Sequence, residues 1–192
     1  MRRPPAVAGR FYPARPEALT RELERYITPS AAKHEALGCV VPHAGIMYSG
    51  HVAGAVYAAL KLPAHFIILC PNHYGAGAPL AIMSAGVWET PLGDVPIASE
   101  LAQELKQACR QLEEDAEAHQ FEHSLEVQLP FLQHLLREFW FVPIAIGVGN
   151  YARLEELGYG IATAIKKVAQ PILVVASSDM THYESDERAR VK

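Results

Sequence analysis

The sequence lacks any apolar run long enough to cross a membrane. Spanning a bilayer takes about 18 or more consecutive apolar residues, and no stretch of this 192-residue chain approaches that length. The amino terminus also lacks the apolar core of a signal peptide, because it begins Met1-Arg2-Arg3-Pro4-Pro5. We therefore expect a cytoplasmic protein that has no membrane partner.

Cysteines are few, and basic residues are not clustered. The three cysteines, Cys39, Cys70 and Cys109, have no Cys-x-x-Cys spacing, which argues against a disulfide framework and a structural zinc knuckle. The formal net charge is −4 and the Lys and Arg residues are scattered, so no nucleic acid is expected as a partner. A glycine-rich phosphate loop is also missing, which argues against a nucleotide cofactor. A small molecule or a peptide is then the expected partner.

Half of the residues are hydrophobic, and they form alternating strand-like and helix-like runs. Continuous apolar runs predict strands in a sheet that is covered on both faces, and spacings of three and four predict helices. The predicted strands are 37–41, 66–70, 141–146 and 172–176, with short strands and a hairpin within 80–95. The predicted helices are 16–27, 49–60, 98–112, 124–139 and 151–168. This order predicts a single α/β domain over residues 1–192, a three-layer α/β/α sandwich with a largely parallel or mixed central sheet.

Local signals predict where two of the helices begin. Ser124 and Asn150 are the predicted N-caps of the last two helices, because their side chains can accept hydrogen bonds from main-chain N–H groups of the first turn. Pro130 lies inside the helix predicted over 124–139, where it is expected to cause a kink.

Three of the apolar runs are each followed within a few residues by a histidine. Pro42-His43-Ala44-Gly45 follows the first run, Pro71-Asn72-His73 the second, and Ser177-Ser178-Asp179-Met180-Thr181-His182 the last. In an open α/β sheet the carboxyl ends of neighbouring strands share one edge, so residues distant in sequence converge there. We therefore predict that His43, His73 and His182 lie together, where imidazoles suit a transition metal or acid/base chemistry.

Other residues are candidates for the same edge. Asp179 is expected to cap a turn, to orient an imidazole or to bind the metal itself, and the sequence leaves these three roles open. His123 follows Glu122 in a segment predicted to open a helix, and it is expected to line the pocket, because a helix N-terminus favours anions. Arg10 and Tyr12 are candidates for substrate contact or for simple packing.

Six motifs occur in order along nearly the whole chain. They are Ala8-Gly9-Arg10-Phe11-Tyr12-Pro13, Pro42-His43-Ala44-Gly45-Ile46-Met47-Tyr48-Ser49-Gly50, Pro71-Asn72-His73, Thr90-Pro91-Leu92-Gly93, Glu122-His123-Ser124-Leu125-Glu126-Val127-Gln128-Leu129-Pro130 and Ser177-Ser178-Asp179-Met180-Thr181-His182-Tyr183. Together they resemble the Memo family, which includes the microbial AmmeMemoRadiSam system protein B. The resemblance implies the fold of the class III extradiol dioxygenases (LigB-like), with a metal pocket at one end of the sheet.

The resemblance also implies roles for the candidate residues. His43 and His73 match two metal-binding imidazoles, and His182 matches an acid/base histidine that is also a candidate third ligand. With His123 and Asp179 added from the pattern of the residues, the predicted catalytic group is His182, His123 and Asp179. The implied cofactor is a divalent transition metal, with Fe(II) expected first and Cu or Zn as alternatives.

Memo proteins are expected to take a remaining ligand from a cysteine in a later Cys-Gly motif, whereas this sequence ends at Lys192. The resemblance therefore implies a chain truncated at its carboxyl end, with poor metal retention and an uncovered apolar face that favours a homo-oligomer. Microbial relatives are typically encoded beside radical-SAM and AMMECR1-type proteins. Proteins of that pathway are thus expected partners.

Three functions remain open at this point. The first is a non-haem, metal-dependent, dioxygenase-like oxidoreductase that uses His43 and His73 as ligands and His182 as a base. The second is a zinc-type hydrolase with Asp179 as the base. The third is a non-catalytic module that binds a protein or peptide, so the sequence does not decide whether the chain is an enzyme.

Overall fold

The computed structural model describes residues 1–30 and 32–192. Its strands are β1 (Arg2–Arg3), β2 (Gly38–Val41), β3 (His65–Pro71), β4 (Leu80–Ile82), β5 (Val87–Thr90), β6 (Gly93–Pro96), β7 (Glu113–Glu114), β8 (Trp140–Ile146) and β9 (Ile172–Ser177). Its helices are α1 (Pro16–Tyr26), α2 (Ile46–Ala59), α3 (Ser99–Ala108), α4 (Glu117–Gln120), α5 (Gln128–Leu135), α6 (Tyr151–Lys167) and α7 (Asp186–Ala189).

The central sheet is mixed, and its strand order is β2-β9-β3-β8-β4-β7. The four strands β2, β9, β3 and β8 run parallel to one another. β4 is antiparallel to β8, and β7 is parallel to β4. The last long strand in sequence, β9, thus lies between β2 and β3, which come first. A smaller sheet has the order β1-β5-β6.

Helices cover both faces of the central sheet, as expected for three layers. Successive side chains of a strand point to opposite faces, and in β3 Phe66 and Ile68 join one apolar cluster while Ile67 joins the other. The first cluster contains residues of α1, α2 and α5, and the second contains residues of α3 and α6. The predicted α/β class with a largely parallel or mixed sheet is confirmed.

Most predicted elements lie within three residues of their predicted bounds. α1 begins at Pro16, a residue whose fixed φ angle suits the first helical position. α6 begins after Asn150, whose side chain accepts a hydrogen bond of 2.9 Å from the Ala152 N–H. These two helix starts confirm the predictions. No helix in the described part of the chain is long and apolar enough to cross a membrane.

The helix predicted over 124–139 is wrong at its amino end. α5 covers only Gln128–Leu135, and Ser124 lies in the preceding turns, where it does not act as an N-cap. Pro130 accounts for the late start, because proline lacks an N–H group and is tolerated in the first turn of a helix. Pro130 is the third residue of α5, so it opens the helix and does not kink its middle.

Candidate metal centre

Three neighbouring parallel strands bring the histidine segments to one edge of the sheet. The carboxyl ends of β2, β9 and β3 are followed by His43, by the segment from Ser178 to His182, and by His73, respectively. These segments enclose a cleft of about 630 Å³. Its wall contains Arg10, Phe11, His43, Ala44, Gly45, Met47, Tyr48, His73, His123, Asp179, His182 and Tyr183. The predicted convergence of the strand ends is therefore what the structure has.

His43, His73 and His123 form a group that could hold a metal ion. One nitrogen atom from each ring lies within 4.8 Å of the corresponding atoms of the other two. The ring centroids of His43 and His73 are 5.4 Å apart, and those of His73 and His123 are 4.6 Å apart. In the described part of the chain, His123 and not His182 completes this group of three.

His182 and Asp179 lie in the same cleft, beside this group. Nε2 of His182 is 3.6 Å from Oδ2 of Asp179, and Nε2 of His43 is 3.7 Å from the same oxygen. About half of the His182 side chain is exposed, 53%, against 12% for Asp179. The roles predicted for these two residues stay predictions, but both are placed to act at the cleft.

The turn after β2 is held by the carboxylate of Asp179. Oδ1 of Asp179 accepts hydrogen bonds from the main-chain N–H groups of His43, at 2.6 Å, and Ala44, at 2.9 Å. These bonds tie the loop after β2 to the loop after β9. One oxygen of Asp179 thus holds the turn that carries His43, while the other faces His43 and His182.

The His43 side chain is buried and its ring is neutral near pH 7. The residue is 3% exposed, and its Nδ1 lies 3.0 Å from the Ser177 hydroxyl. Burial lowers the pKa of His43 to about 4; the Asp179 carboxylate opposes this shift, and the neighbouring His73 and His123 add to it. A neutral imidazole can offer a lone pair to a metal ion without first losing a proton.

His73 is held by Glu122, a fully buried carboxylate. Oε1 of Glu122 lies 2.9 Å from Nδ1 of His73, and Oε2 accepts a hydrogen bond of 2.7 Å from the His73 main-chain N–H. Burial alone would raise the pKa of the Glu122 carboxyl, but hydrogen bonds from Ser124 and His73 outweigh it and keep the pKa below its usual value. The resulting carboxylate–imidazole pair is a common arrangement around metal-binding histidines.

His123 lies beside two aromatic rings. Its centroid is 4.6 Å from that of Phe11 and 4.6 Å from that of His73, with which it stacks. Burial lowers the pKa of His123, against the attraction of the Glu122 carboxylate. The structure places His123 in the wall of the cleft, although it precedes α5 by five residues and does not open a helix.

A single segment, residues 122–128, supports most of the site. Its alternate residues Glu122, Ser124, Glu126 and Gln128 are polar, yet each is 0% exposed. Glu122 bonds His73, Ser124 and Gln128 bond Ser177, and Glu126 bonds the amino-terminal segment. Sequence reasoning missed the supporting residues Glu122, Gln128 and Ser177. The available signal was the run of polar residues at alternate positions between buried apolar ones, just before Pro130.

The amino-terminal segment is tied down through Glu126. The buried carboxylate forms an ion pair with Arg3, and accepts hydrogen bonds from the Tyr12 hydroxyl and the N–H groups of Ala6 and Val7. Burial, followed by the charge of Glu126, raises the pKa of Tyr12. Arg10 and Tyr12 were both candidates for substrate contact or for packing. Tyr12 packs in the interior, and Arg10 lies in the cleft wall.

The chemistry of the three imidazoles fits a divalent transition metal. Imidazole nitrogen suits Zn, Cu, Fe and Ni. Burial lowers the pKa of His43 to about 4 and lowers the pKa of His123 as well, which favours the neutral rings that metal binding needs. The ligand atoms come from His43, His73 and His123. The arrangement does not identify the metal.

The fold and the cleft define an α/β protein with a histidine cluster that could hold a metal ion. A family model described as Memo-like protein matches residues 3–191. The chain belongs to the Memo family. It is 44% identical over 197 residues to a MEMO1 family protein of Pyrobaculum arsenaticum, with 96% of this chain and 70% of the relative covered. It is also 43% identical over 188 residues to a MEMO1 family protein of Archaeoglobus fulgidus, with 98% and 70% covered.

Proposed function

We propose that this chain is a metal-dependent, dioxygenase-like oxidoreductase, and that its fold is of the extradiol dioxygenase (LigB-like) type. The observation that carries the proposal is the group of three imidazoles at the carboxyl edge of a parallel sheet region. Family membership supports it, because His43 and His73 match the metal-binding imidazoles that the resemblance implies.

The proposed ligands are His43, His73 and, on the geometry, His123. His182, predicted as a third ligand, is proposed here as the acid/base group together with Asp179. When bound, the metal supplies Lewis-acid chemistry and, if it is iron or copper, redox chemistry at its open positions. Fe(II) is the first candidate and Cu or Zn the alternatives.

Proton transfer is assigned to Nε2 of His182. This nitrogen lies 3.6 Å from Oδ2 of Asp179, so the carboxylate is placed to orient the ring. The other oxygen of Asp179 is fixed by two main-chain N–H groups. Asp179 therefore cannot swing away from His182 without breaking the turn that carries His43.

Apolar groups shape the rest of the cleft. Phe11 packs on His123, and Met47, Tyr48 and Tyr183 complete the wall. These side chains suit a substrate with an aromatic or unsaturated body, which they can cover and shield from water.

One observation favours a second candidate, a zinc-type hydrolase. The group of ligand atoms contains three imidazoles and no carboxylate, and three histidines plus water form a known catalytic zinc site. In that case Asp179 serves as the base for the activated water.

Metal loading tests both proposals. The protein is loaded anaerobically with Fe(II), Cu or Zn, and bound metal is measured after desalting for the unchanged chain and the His43→Ala/His73→Ala variant. The sequence led us to expect poor metal retention, but with His123 as a third imidazole we expect bound metal in the unchanged chain and at least tenfold less in the variant. The His51→Ala variant is the matched control, because His51 is exposed on α2 and outside the cleft wall.

The reaction class is then tested on the loaded protein. Oxygen uptake with catechol as the probe supports the oxidoreductase, and hydrolysis of an activated ester by the zinc form supports the hydrolase. Failure of the unchanged chain to retain any of the three metals would overturn both. The predicted peptide-binding function would then be the one to pursue.

A further inference from the structure

We propose that Glu122 and Ser177 are positioning residues that hold His73 and His43 as the Nδ1-protonated tautomers, so that both rings present an unprotonated Nε2 to the cleft. The inference deepens the proposed function, since it names the nitrogen through which each ring would bind metal. The hydrogen-bond donors and acceptors around the two rings support it.

The single proton of the Ser177 hydroxyl determines the tautomer of His43. Oγ of Ser177 has three neighbours: the Ser124 carbonyl at 2.6 Å, Nε2 of Gln128 at 2.9 Å and Nδ1 of His43 at 3.0 Å. The carbonyl can only accept, so it takes the hydroxyl proton. Ser177 is then an acceptor toward both remaining neighbours.

The orientation of the Gln128 amide supports this assignment. Nε2 of Gln128 also lies 2.9 Å from the Pro42 carbonyl, while Oε1 accepts a hydrogen bond of 2.9 Å from the Tyr57 hydroxyl. A flipped amide would place two oxygens against each other at Pro42. Gln128 therefore donates to Ser177, and His43 must donate from Nδ1 as well, which leaves its Nε2 unprotonated.

The two oxygens of Glu122 determine which nitrogen of His73 donates. Oε1 accepts from the N–H group of Ser124 at 2.9 Å and from its hydroxyl at 2.6 Å, and Oε2 accepts from the His73 N–H at 2.7 Å. Because both oxygens face donors, neither carries a proton. Nδ1 of His73, 2.9 Å from Oε1, is therefore the donor, so in the neutral ring Nε2 is the unprotonated nitrogen.

The two arrangements are joined through Ser124. Its hydroxyl donates to Glu122 beneath His73, while its carbonyl accepts from Ser177 beneath His43. One buried residue thus helps to set both tautomers. Outer-shell partners of this kind are typically worth about 10–100-fold in metal affinity.

The experiment combines tautomer and affinity measurements. Long-range proton–nitrogen NMR on the metal-free protein, labelled with ¹⁵N-histidine, reports which ring nitrogen carries the proton, and Zn²⁺ titration reports affinity. The test variants are Ser177→Ala, which removes the acceptor for His43, and Glu122→Gln. The amide has one oxygen only: placed at Oε1 it leaves its NH2 group against the His73 main-chain N–H, and placed at Oε2 it leaves its NH2 group against Nδ1 of His73 and the Ser124 N–H. Neither orientation accepts from all the donors that the carboxylate binds.

Matched controls come from the edge of the sheet formed by β4 and β7, at the other end of the strand order from β2. Ser84→Ala alters a buried serine, and Glu114→Gln alters a carboxylate that accepts a main-chain N–H bond, from Ser84, at 2.9 Å. Neither residue lies in the cleft wall. Ser84 is buried like Ser177, so a loss of affinity that merely reflected weaker folding would appear in Ser84→Ala as well. The Glu114 side chain is 47% exposed, so Glu114→Gln controls only for the loss of a carboxylate.

We expect Nδ1-protonated His43 and His73 in the unchanged chain, a mixed tautomer at the affected ring in each test variant, and a Zn²⁺ affinity about 10–100-fold lower. Both controls should keep the original tautomers and affinity. Nε2-protonated rings in the unchanged chain would overturn the inference even if metal binds. This measurement does not depend on the folding of any variant. Nδ1-protonated rings without metal binding would uphold the tautomer assignment and overturn the proposed function.

Discussion

Substitution of Gly54 by alanine tests the close contact between α1 and α2. A β-carbon at position 54 would lie 2.4 Å from the carbonyl oxygen and 2.7 Å from the carbonyl carbon of Tyr26, the last residue of α1. Both atoms belong to the main chain, so no side-chain rotation can relieve the overlap. The two helices must move apart, although they cover one face of the sheet next to the turn that carries His43.

The expected free-energy change has two opposing parts. Alanine is favoured over glycine in a helix interior by about 1 kcal/mol, whereas overpacking a well-packed contact costs about 1–3 kcal/mol. Because the overlap is with main-chain atoms, we take the upper part of that range. Gly54→Ala should then lower the free energy of unfolding by about 1–2 kcal/mol.

Gly158→Ala is the matched control for this change. Gly158 lies inside α6 and is exposed, and a β-carbon there would have no atom within 4 Å. Only the preference of a helix for alanine over glycine remains, so the free energy of unfolding of this variant should rise by about 0.5–1 kcal/mol. Urea unfolding followed by circular dichroism measures both changes. Equal shifts of the same sign in the two variants, or a more stable Gly54→Ala protein, would refute the reasoning.

Two further predictions concern the buried charges and polar rings near β1. Burial, followed by the charge of Arg3, lowers the pKa of His119 from 6.5 to about 4, so only the unfolded chain takes up a proton between those values and stability falls as the pH drops through this window. Relative to His119→Leu, the unchanged chain should lose about 2 kcal/mol between pH 7 and pH 5, and parallel pH profiles from urea unfolding would contradict this. Arg3→Met should cost about 3 kcal/mol, because it leaves the buried charge of Glu126 without its cation. Arg2→Met, at a side chain that is 58% exposed, should cost much less; equal losses in thermal or urea unfolding would show that burial does not matter here.

The main elements were predictable because their apolar residues follow simple periods. The strand around Phe66 is a continuous apolar run, and α1 has a proline, Pro16, as its first residue. The early helix boundary at Ser124 was wrong because a serine before an apolar run is typical of an N-cap, and nothing local reveals that its side chain bonds Glu122. Glu122 is only two residues away, but the Ser124 carbonyl accepts from Ser177, 53 positions along the chain, and that contact depends on the fold.

The site was predictable in part for the same reason. His43 and His73 follow strands, and parallel neighbours bring strand ends together, so their meeting required only the topology. His123 was predicted to line the pocket, but its membership of the ligand group depends on how the segment before α5 turns. Glu122, Gln128 and Ser177 were missed because polar residues are usually exposed, and their burial is tolerated only through partners supplied by distant segments.

The position of β9 between β2 and β3 has a consequence for the order in which the chain can assemble. During synthesis β2 and β3 emerge more than a hundred residues before β9. Until β9 inserts between them, β3 can pair only with β8, and β2 has no neighbour in the described sheet. Ser177 and Asp179, which fix His43, arrive with that strand. A growing chain therefore carries His43 and His73 long before it has a formed cleft. The contacts that hold the His43 turn and ring in place thus form only when β9 joins the sheet.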